Sequence, residues 1–267
     1  MLKQIDSLQN PLIKEIFQLK EKSRVRKRTK RFIIEGQREI SLALKGNYTI
    51  EKILFDKNII SPGLIQDTYQ DLNIECIQIS TEIYKKLTYR NTTEGVIAIT
   101  EGKSLHLNSL VFKNKNPLIL IVEAPEKPGN IGALLRTADA ANVAAVIIAN
   151  PKTDLYNPNI IRSSVGCVFT NQIGLGSTKE IISFLKDNGI SIYCAALKDD
   201  SELYHTQDFK NSTAIVVGTE ATGLSDEWLQ NAKKNIIIPM QGAIDSMNVS
   251  VAAGILIFEA KRQRNFI

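Results

Sequence analysis

The sequence predicts an α/β chain in two domains, the second built on a mainly parallel sheet. Continuous apolar runs such as Leu118 to Val122 (LILIV) and Ala214 to Val217 (AIVV) read as strands covered on both faces. Segments of helical period alternate with them, as parallel strands require of their crossovers. Residues 101–116 (EGKSLHLNSLVFKNKN) lose periodicity and are rich in Lys, Asn and Ser, which places a linker there. At 267 residues the chain has room for one large core and a smaller one. The expected domains are therefore 1–100 and 117–267.

Asn10-Pro11 starts the first helix, a capping side chain followed by Pro at the first helical position. Leu12, Ile16 and Leu19, with Ile13 and Phe17, give it an apolar face. The basic stretch from Lys20 to Arg31 extends that helix or follows it directly. Phe32-Ile33-Ile34 reads as a short strand, and Gln37 to Lys45 as a helix stopped by Gly46. Strands follow at 50–55 and 74–79, separated by a Ser61-Pro62-Gly63 break and a short helix. Ser80 caps another helix, and Gly95 to Ile99 closes the unit. In the second half strands are expected at 118–122, 144–149, 190–196, 213–217 and 235–238. Helices are expected at 131–141, 158–165, 178–188, 225–231 and 248–264. Ser177-x-x-Glu180 is a capping box, with Gly189 the C-terminal stop of the same helix.

Composition is that of a folded soluble protein, 43% hydrophobic and 23% charged. The net charge of +5 is unevenly placed: residues 1–100 hold 17 Lys/Arg against 12 Asp/Glu, and the remainder 16 of each. Lys20 to Arg31 (KEKSRVRKRTKR) concentrates the surplus. Such a block suits a polyanion, because neutralised phosphates release condensed counterions; a solvated helix face is the plainer account. Arg24, Arg26, Lys27, Arg28, Lys30 and Arg31 are the candidates for such contacts. Cys76, Cys167 and Cys194 are far apart, which fits a reducing cytosol and neither a disulfide framework nor a zinc site. His106 and His205 sit in polar connecting segments as surface residues. No signal peptide, membrane span or metal-ligand set is expected, so the chain reads as cytoplasmic.

Three polar clusters follow strand-like runs, and ligands of open α/β sheets bind beyond the carboxyl ends of strands. The first, Gly129-Asn130-Ile131-Gly132, opens a helix that carries Arg136 among small apolar residues. It is neither the dinucleotide fingerprint nor a phosphate-binding loop. A lone Arg there costs energy to bury without a partner; an ion pair to Asp139 or snorkelling is the plainer reading. The second, Gly218-Thr219-Glu220-Ala221-Thr222-Gly223-Leu224, is either a strand-to-helix turn or a ligand loop. In the third, Pro239 ends a strand and Ser246-Met247-Asn248-Val249-Ser250 enters a small-residue helix that Asn248 or Ser246 could cap.

The order N-x-G-x-x-x-R, G-x-E-x-x-G-L and I-P-M-x-G…S-x-N-V-S-x-A resembles the signature motifs of the SpoU (TrmH-like) RNA ribose 2′-O-methyltransferases of the SPOUT class, over about 117–264. The preceding domain, with Phe32-x-x-Glu35-Gly36 and Glu94-Gly95-Val96, resembles the small ribosomal-L30e-like RNA-binding domain often joined to that family. Met247 stands where the family usually has Leu, and Thr93-Glu94-Gly95 replaces the more usual His/Pro-Gln-Gly. The resemblance implies a trefoil-knotted methyltransferase domain, a homodimer, and S-adenosylmethionine as cofactor. Gly218, Thr219, Gly223, Ile238, Pro239, Met240 and Met247 would hold the cofactor. Asn130, Arg136, Glu220, Ser246 and Asn248 would form the catalytic and substrate-contacting set.

Methyl transfer from a sulfonium needs the ribose oxygen held in line behind the methyl carbon, and negative charge developing on that oxygen must be stabilised. Arg136 can do this and grip the adjacent phosphate, though its guanidinium is no proton acceptor. RNA is implied because only ribose carries the reacting hydroxyl. Structured RNA, 23S ribosomal RNA foremost, is the expected substrate, with transfer RNA the alternative. A non-catalytic RNA-binding protein is a second rival, and a doubly wound nucleotide-binding oxidoreductase a third, which the missing glycine fingerprint disfavours.

Overall fold

The computed structural model describes residues 3–72, 74–89, 94–219 and 222–266. They fall into two compact units, and the partition is not the linear one expected from the sequence. The first unit runs to Lys103 and also takes Asp154–Thr170, while the second comprises Ser104–Thr153 and everything from Asn171 onward.

In the first unit β1 (Lys3–Ile5), α1 (Pro11–Glu21), α2 (Ser23–Thr29), β2 (Arg31–Glu35), α3 (Gln37–Lys45), β3 (Ile50–Phe55), α4 (Pro62–Tyr69), β4 (Glu75–Ile79), α5 (Thr81–Leu87) and β5 (Val96–Glu101) follow in order. The sheet order is β1-β4-β3-β5-β2, with β1, β4 and β3 parallel and β5 antiparallel to both its neighbours. Asn10 and Ser80 cap α1 and α5 as expected, accepting from Leu12 and Ile83 N–H. Pro62 and Gly63 begin α4 rather than interrupt it, since Pro without its N–H is tolerated in a first helical turn. Ile13, Ile16 and Leu19 of α1 are fully buried against the sheet.

An aromatic cluster explains why Asp154–Thr170 belongs to this unit. Phe32 of β2 stacks on Tyr156 at 4.2 Å between ring centroids and on Phe169 at 5.9 Å. Tyr48 meets both edge-on. Desolvation there pushes the phenols of Tyr48 and Tyr156 upward. The buried Arg26 pairs with Asp154 and donates to the carbonyls of Leu19 at 2.7 Å and Lys20 at 3.2 Å.

The second unit comprises β6 (Leu118–Glu123), α6 (Pro128–Ala140), β7 (Ala145–Ala149), β8 (Ile173–Gly176), α9 (Thr178–Asp187), β9 (Ser191–Ala195), β10 (Glu202–Leu203), β11 (Thr213–Val217), α10 (Asp226–Asn231), β12 (Lys234–Ile237) and α11 (Val249–Gln263). The short helices α7 (Pro158–Ser163) and α8 (Cys167–Thr170) are those given to the first unit. All seven strands are parallel, in the order β10-β12-β9-β11-β6-β7-β8. β6, β7 and β11 are buried along their whole length, as covered parallel strands must be. The capping box Ser177/Glu180 forms, and Gly189 takes φ +64° after α9. Of residues 101–116, read as linker, those from Ser104 on belong to this unit, and Leu107, Leu110 and Phe112 lie against its core.

Candidate active site

Strand order decides which loops meet. β12, β9, β11 and β6 are consecutive neighbours, so the segments leaving their carboxyl ends lie side by side. Those leaving β6, β11 and β12 are the three polar clusters. The fourth, Ala196-Leu197-Lys198 after β9, lies between two of them and was missed in the sequence. Its position at a strand end was the available signal.

A cavity of about 360 Å³ opens there, within the size range of small-molecule sites. Its walls are Ala195 to Lys198, Val217 to Thr219, Thr222 to Leu224, Leu229, Ile236 to Ile238, Met240, Asp245 to Met247, Val249 and Ala252. Of the expected cofactor residues, Gly218, Thr219, Gly223, Ile238, Met240 and Met247 line it; Pro239 is not among the lining residues. Ser246, expected on the catalytic side, lines the cavity as well. Glu220 lies outside the described residues.

The loop after β11 is drawn tight by its own backbone. Thr219 and Gly223 exchange two N–H···O bonds of 3.2 and 3.1 Å, and the hydroxyls of Thr219 and Thr222 lie 2.8 Å apart. Gly223 sits at φ +63°. A Cβ on Gly218 would fall 2.3 Å from the Gly223 carbonyl, so only glycine fits. The loop's far end is fixed by Glu123, the last residue of β6, which is 6% exposed. Its carboxylate accepts from Ser225 N–H and Oγ, both at 2.8 Å, and from Thr178 Oγ1 at 3.1 Å. Nothing singled out Glu123 in the sequence, although an acid closing a buried strand demands such partners.

α11 packs against α6 and thereby joins the first and third clusters. Asn248 caps α11, its Oδ1 accepting from Ser250 N–H at 2.9 Å, while its Nδ2 donates to Asn130 Oδ1 at 3.2 Å. The cap reading of Asn248 therefore holds, and the same side chain brings the third cluster against the first. Arg136 is exposed on α6 and does not line the cavity. Its guanidinium makes no hydrogen bond or ion pair among the described residues, so the Asp139 pair is not formed.

The cavity combines apolar wall with polar groups, as a small amphipathic cofactor requires. Leu197, Met240, Met247 and Val217 supply apolar wall, and Thr219, Thr222, Asp245 and Ser246 supply polar groups. The glycine cradle at Gly218 brings backbone against the space. In the adjoining core, burial and then the charge of Glu123 push the Cys194 thiol up to about 12. Among the described residues no group of His, Cys, Asp and Glu could hold a metal ion.

Of the basic residues in the first unit, Arg24, Lys27, Arg28 and Lys30 are exposed. Arg26 does not belong with them: it is buried in its pair with Asp154. Arg31 is engaged by Glu15 and Glu51, which raise its pKa through hydrogen bonding and charge. No helix of the described residues is long and apolar enough to cross a membrane.

Comparison with known proteins agrees with this geometry. Residues 117–258 match the SpoU rRNA Methylase family, and residues 10–98 match an MRM3-like substrate binding domain. The chain is 28% identical to 23S rRNA (guanosine(2553)-2′-O)-methyltransferase RlmP of Bacillus subtilis, covering 97% of this chain and all of that one. A crystal structure of an RNA 2′-O ribose methyltransferase superposes with TM-score 0.82 at 36% identity, over 98% of this chain and 99% of that one. The S-adenosylmethionine-bound rRNA methyltransferase of Sinorhizobium meliloti superposes with TM-score 0.88 at 27% identity, over 98% of both. On the motifs, the strand order and these matches together, the chain belongs to the SpoU family of RNA 2′-O-methyltransferases.

Proposed function

We propose that this protein methylates a ribose 2′-oxygen of structured RNA, with 23S ribosomal RNA as the substrate and S-adenosylmethionine as the methyl donor. The observation that carries the proposal is the convergence of all three clusters at the carboxyl end of one sheet: a glycine-cradled cavity beside the Asn130–Asn248 pair. The bound cofactor supplies an electrophilic methyl carbon on a sulfonium. The protein's part is to hold the donor in the cavity through the backbone of 218–224 and the residues from Ile238 to Met247, and to hold the ribose oxygen in line. Asn130, Ser246 and Asn248 are the polar groups that orient the sugar. Arg136, exposed on α6, grips the phosphate beside the reacting ribose and offsets charge as the oxygen loses its proton.

The first unit holds the RNA, and exposed Arg24, Lys27, Arg28 and Lys30 follow its backbone. A homodimer belongs to the same proposal. α11 leaves Val251 and Phe258 53% and 43% exposed with half-buried Ile255 between them, a stripe at helical spacing that a second copy would cover. The trefoil knot implied by the family resemblance belongs to the same proposal. A cytoplasmic location follows from the substrate.

Incubation of the protein with labelled cofactor and total RNA tests the assignment, with the product mapped to its nucleotide. Label in 2′-O-methylated 23S RNA is expected. Label in transfer RNA alone would select the alternative substrate, and cofactor binding without any RNA methylation would leave only the non-catalytic reading.

A further inference from the structure

A second cavity, of about 200 Å³, lies wholly in the first unit, between the start of α3, the segment after α5, and α7. Glu35, Arg38, Tyr89, Glu94 and Arg162 are its polar lining, with Ile33 and Ile161 beneath. Its aromatic wall is fixed from two sides. The backbone N–H of Tyr89 donates to Glu35 Oε2 at 3.0 Å. Lys20 Nζ sits 4.2 Å from the centre of the Tyr89 ring while donating to the carbonyls of Lys86 and Thr88 at 3.3 and 3.2 Å. The ring is nevertheless 44% exposed. A tethered, exposed aromatic beside a hollow is a stacking platform for an unpaired base.

The acceptors indicate which base. Glu94 is already engaged, its Oε2 accepting from the N–H groups of Gln37 and Arg38 and so capping α3, whose own N-cap residue is Gly36. Glu35 Oε1 is different: it is buried and has no hydrogen-bond partner among the described residues. A buried acceptor of this kind calls for a donor. Three carboxylates, Glu35, Glu39 and Glu94, share this lining with two arginines, and the buried unpaired acceptor among them favours a donor-bearing base edge over a phosphate. Uracil offers a single imino donor flanked by two carbonyl oxygens, which a carboxylate repels. Guanine offers adjacent donors at N1 and N2 and leaves O6 and N7 for arginine, the side chain that pairs with that edge most often. Arg38 and Arg162 are at hand.

We propose that this hollow is a base-recognition pocket that takes one unpaired guanine of the substrate RNA, stacked on Tyr89, its N1/N2 edge on Glu35 Oε1 and its O6/N7 edge facing arginine. The proposal rests on the RNA reading above for the class of ligand and goes beyond it in naming the base and the residues that read it. Exposed Arg24, Lys27, Arg28 and Lys30 supply backbone affinity without sequence preference.

Fluorescence anisotropy on the full chain tests it, with labelled RNA hairpins of one stem and a uridine loop whose central nucleotide is G, A, C or U. At fixed salt the G loop should bind about tenfold more tightly than the U loop, within the discrimination expected of one well-formed base contact. Glu35→Gln, which turns the free acceptor into a donor, should reduce that preference to less than twofold. Tyr89→Ala should weaken all four loops alike. Equal affinity of the unmodified protein for the four loops would overturn the proposal, as would an undiminished G preference in E35Q. The series on the unmodified protein stands even where a variant does not fold. Methylation of total RNA by a protein without loop preference would remove the pocket and leave the methyltransferase assignment intact.

Discussion

Gly218→Ala probes the cofactor cavity at the point where its backbone is tightest. The added Cβ would lie 2.3 Å from the carbonyl carbon and oxygen of Gly223 and 2.7 Å from Leu224 N, whereas ordinary contact begins at 3.4 Å. The obstruction is backbone, so no side chain can swing aside, and the loop must open by about 1 Å. That opening breaks the paired Thr219–Gly223 bonds of 3.2 and 3.1 Å. At a net 0.5–1.5 kcal/mol each, two such bonds are worth about 1–3 kcal/mol, or roughly a 5- to 150-fold effect. Calorimetric titration should show S-adenosylmethionine binding weakened at least about tenfold, with the melting temperature lowered by several degrees. Gly129→Ala is the matched control. A Cβ there meets nothing within 4 Å, and the helical position should leave stability unchanged or raised by up to about 1 kcal/mol. Wild-type cofactor affinity in G218A would refute the argument, because the cavity would then not depend on the crossing of Gly218 and Gly223.

Arg136→Ala should lower methyl transfer by at least about a hundredfold while cofactor affinity stays within twofold, since the residue lines no part of the cavity; single-turnover transfer with separate calorimetry checks this, and equal transfer would remove its assigned role. Arg26→Ala should cost about 3–5 kcal/mol in chemical denaturation by leaving Asp154 buried and unpaired. Combined substitution of Arg24, Lys27, Arg28 and Lys30 by Ala should instead spare stability and flatten the salt dependence of RNA binding by up to about three units of log–log slope. Alkaline unfolding should report Cys194. The native thiol keeps its proton up to about 12, while in the unfolded chain it is lost near the usual 9.0. Below 9 both forms are protonated and pH has no effect through this group. Between these values the unfolded state alone loses the proton, so stability falls as pH rises, by about 1.4 kcal/mol per unit. Cys194→Ala should make that decline shallower by the same amount; an unchanged slope would show that the thiol is not held protonated.

The sequence made local features legible and left long-range ones hidden. Periodicity and capping residues located α1, α3, α5, α9 and α11 to within a few residues, because each is set by neighbours in the chain. β8 (IGLG) escaped, since two of its four residues are glycines with no side chain to mark a strand face. β1 and β10 are edge strands of three and two residues, too short for any alternation to show. The transfer of 154–170 to the first unit could not be read at all. It depends on Phe32, Tyr48, Tyr156 and Phe169 meeting across more than a hundred residues. The cavity was legible as far as its three loops, and the loop after β9 was missed because Ala196-Leu197-Lys198 has no composition that distinguishes it from a plain turn.

Two arginines show why motif spacing and charge density carry different weight. Arg26 lies inside the densest run of positive charge, yet it is buried, held by Asp154 and two backbone carbonyls. Arg136 stands on a helix of small residues, where an ion pair to Asp139 was the economical reading, and it is exposed with no ion pair to a described residue. Charge density is a property of a segment and says nothing about which guanidinium a fold will bury. A lone cation at fixed distance from Asn130 is a property of a helix, and the helix preserves it. Asn248 extends the point: one amide oxygen begins α11 while the nitrogen of the same amide reaches Asn130 across 118 residues. A local cap thus accounts for only one end of such a residue, because capping uses only the oxygen of its amide.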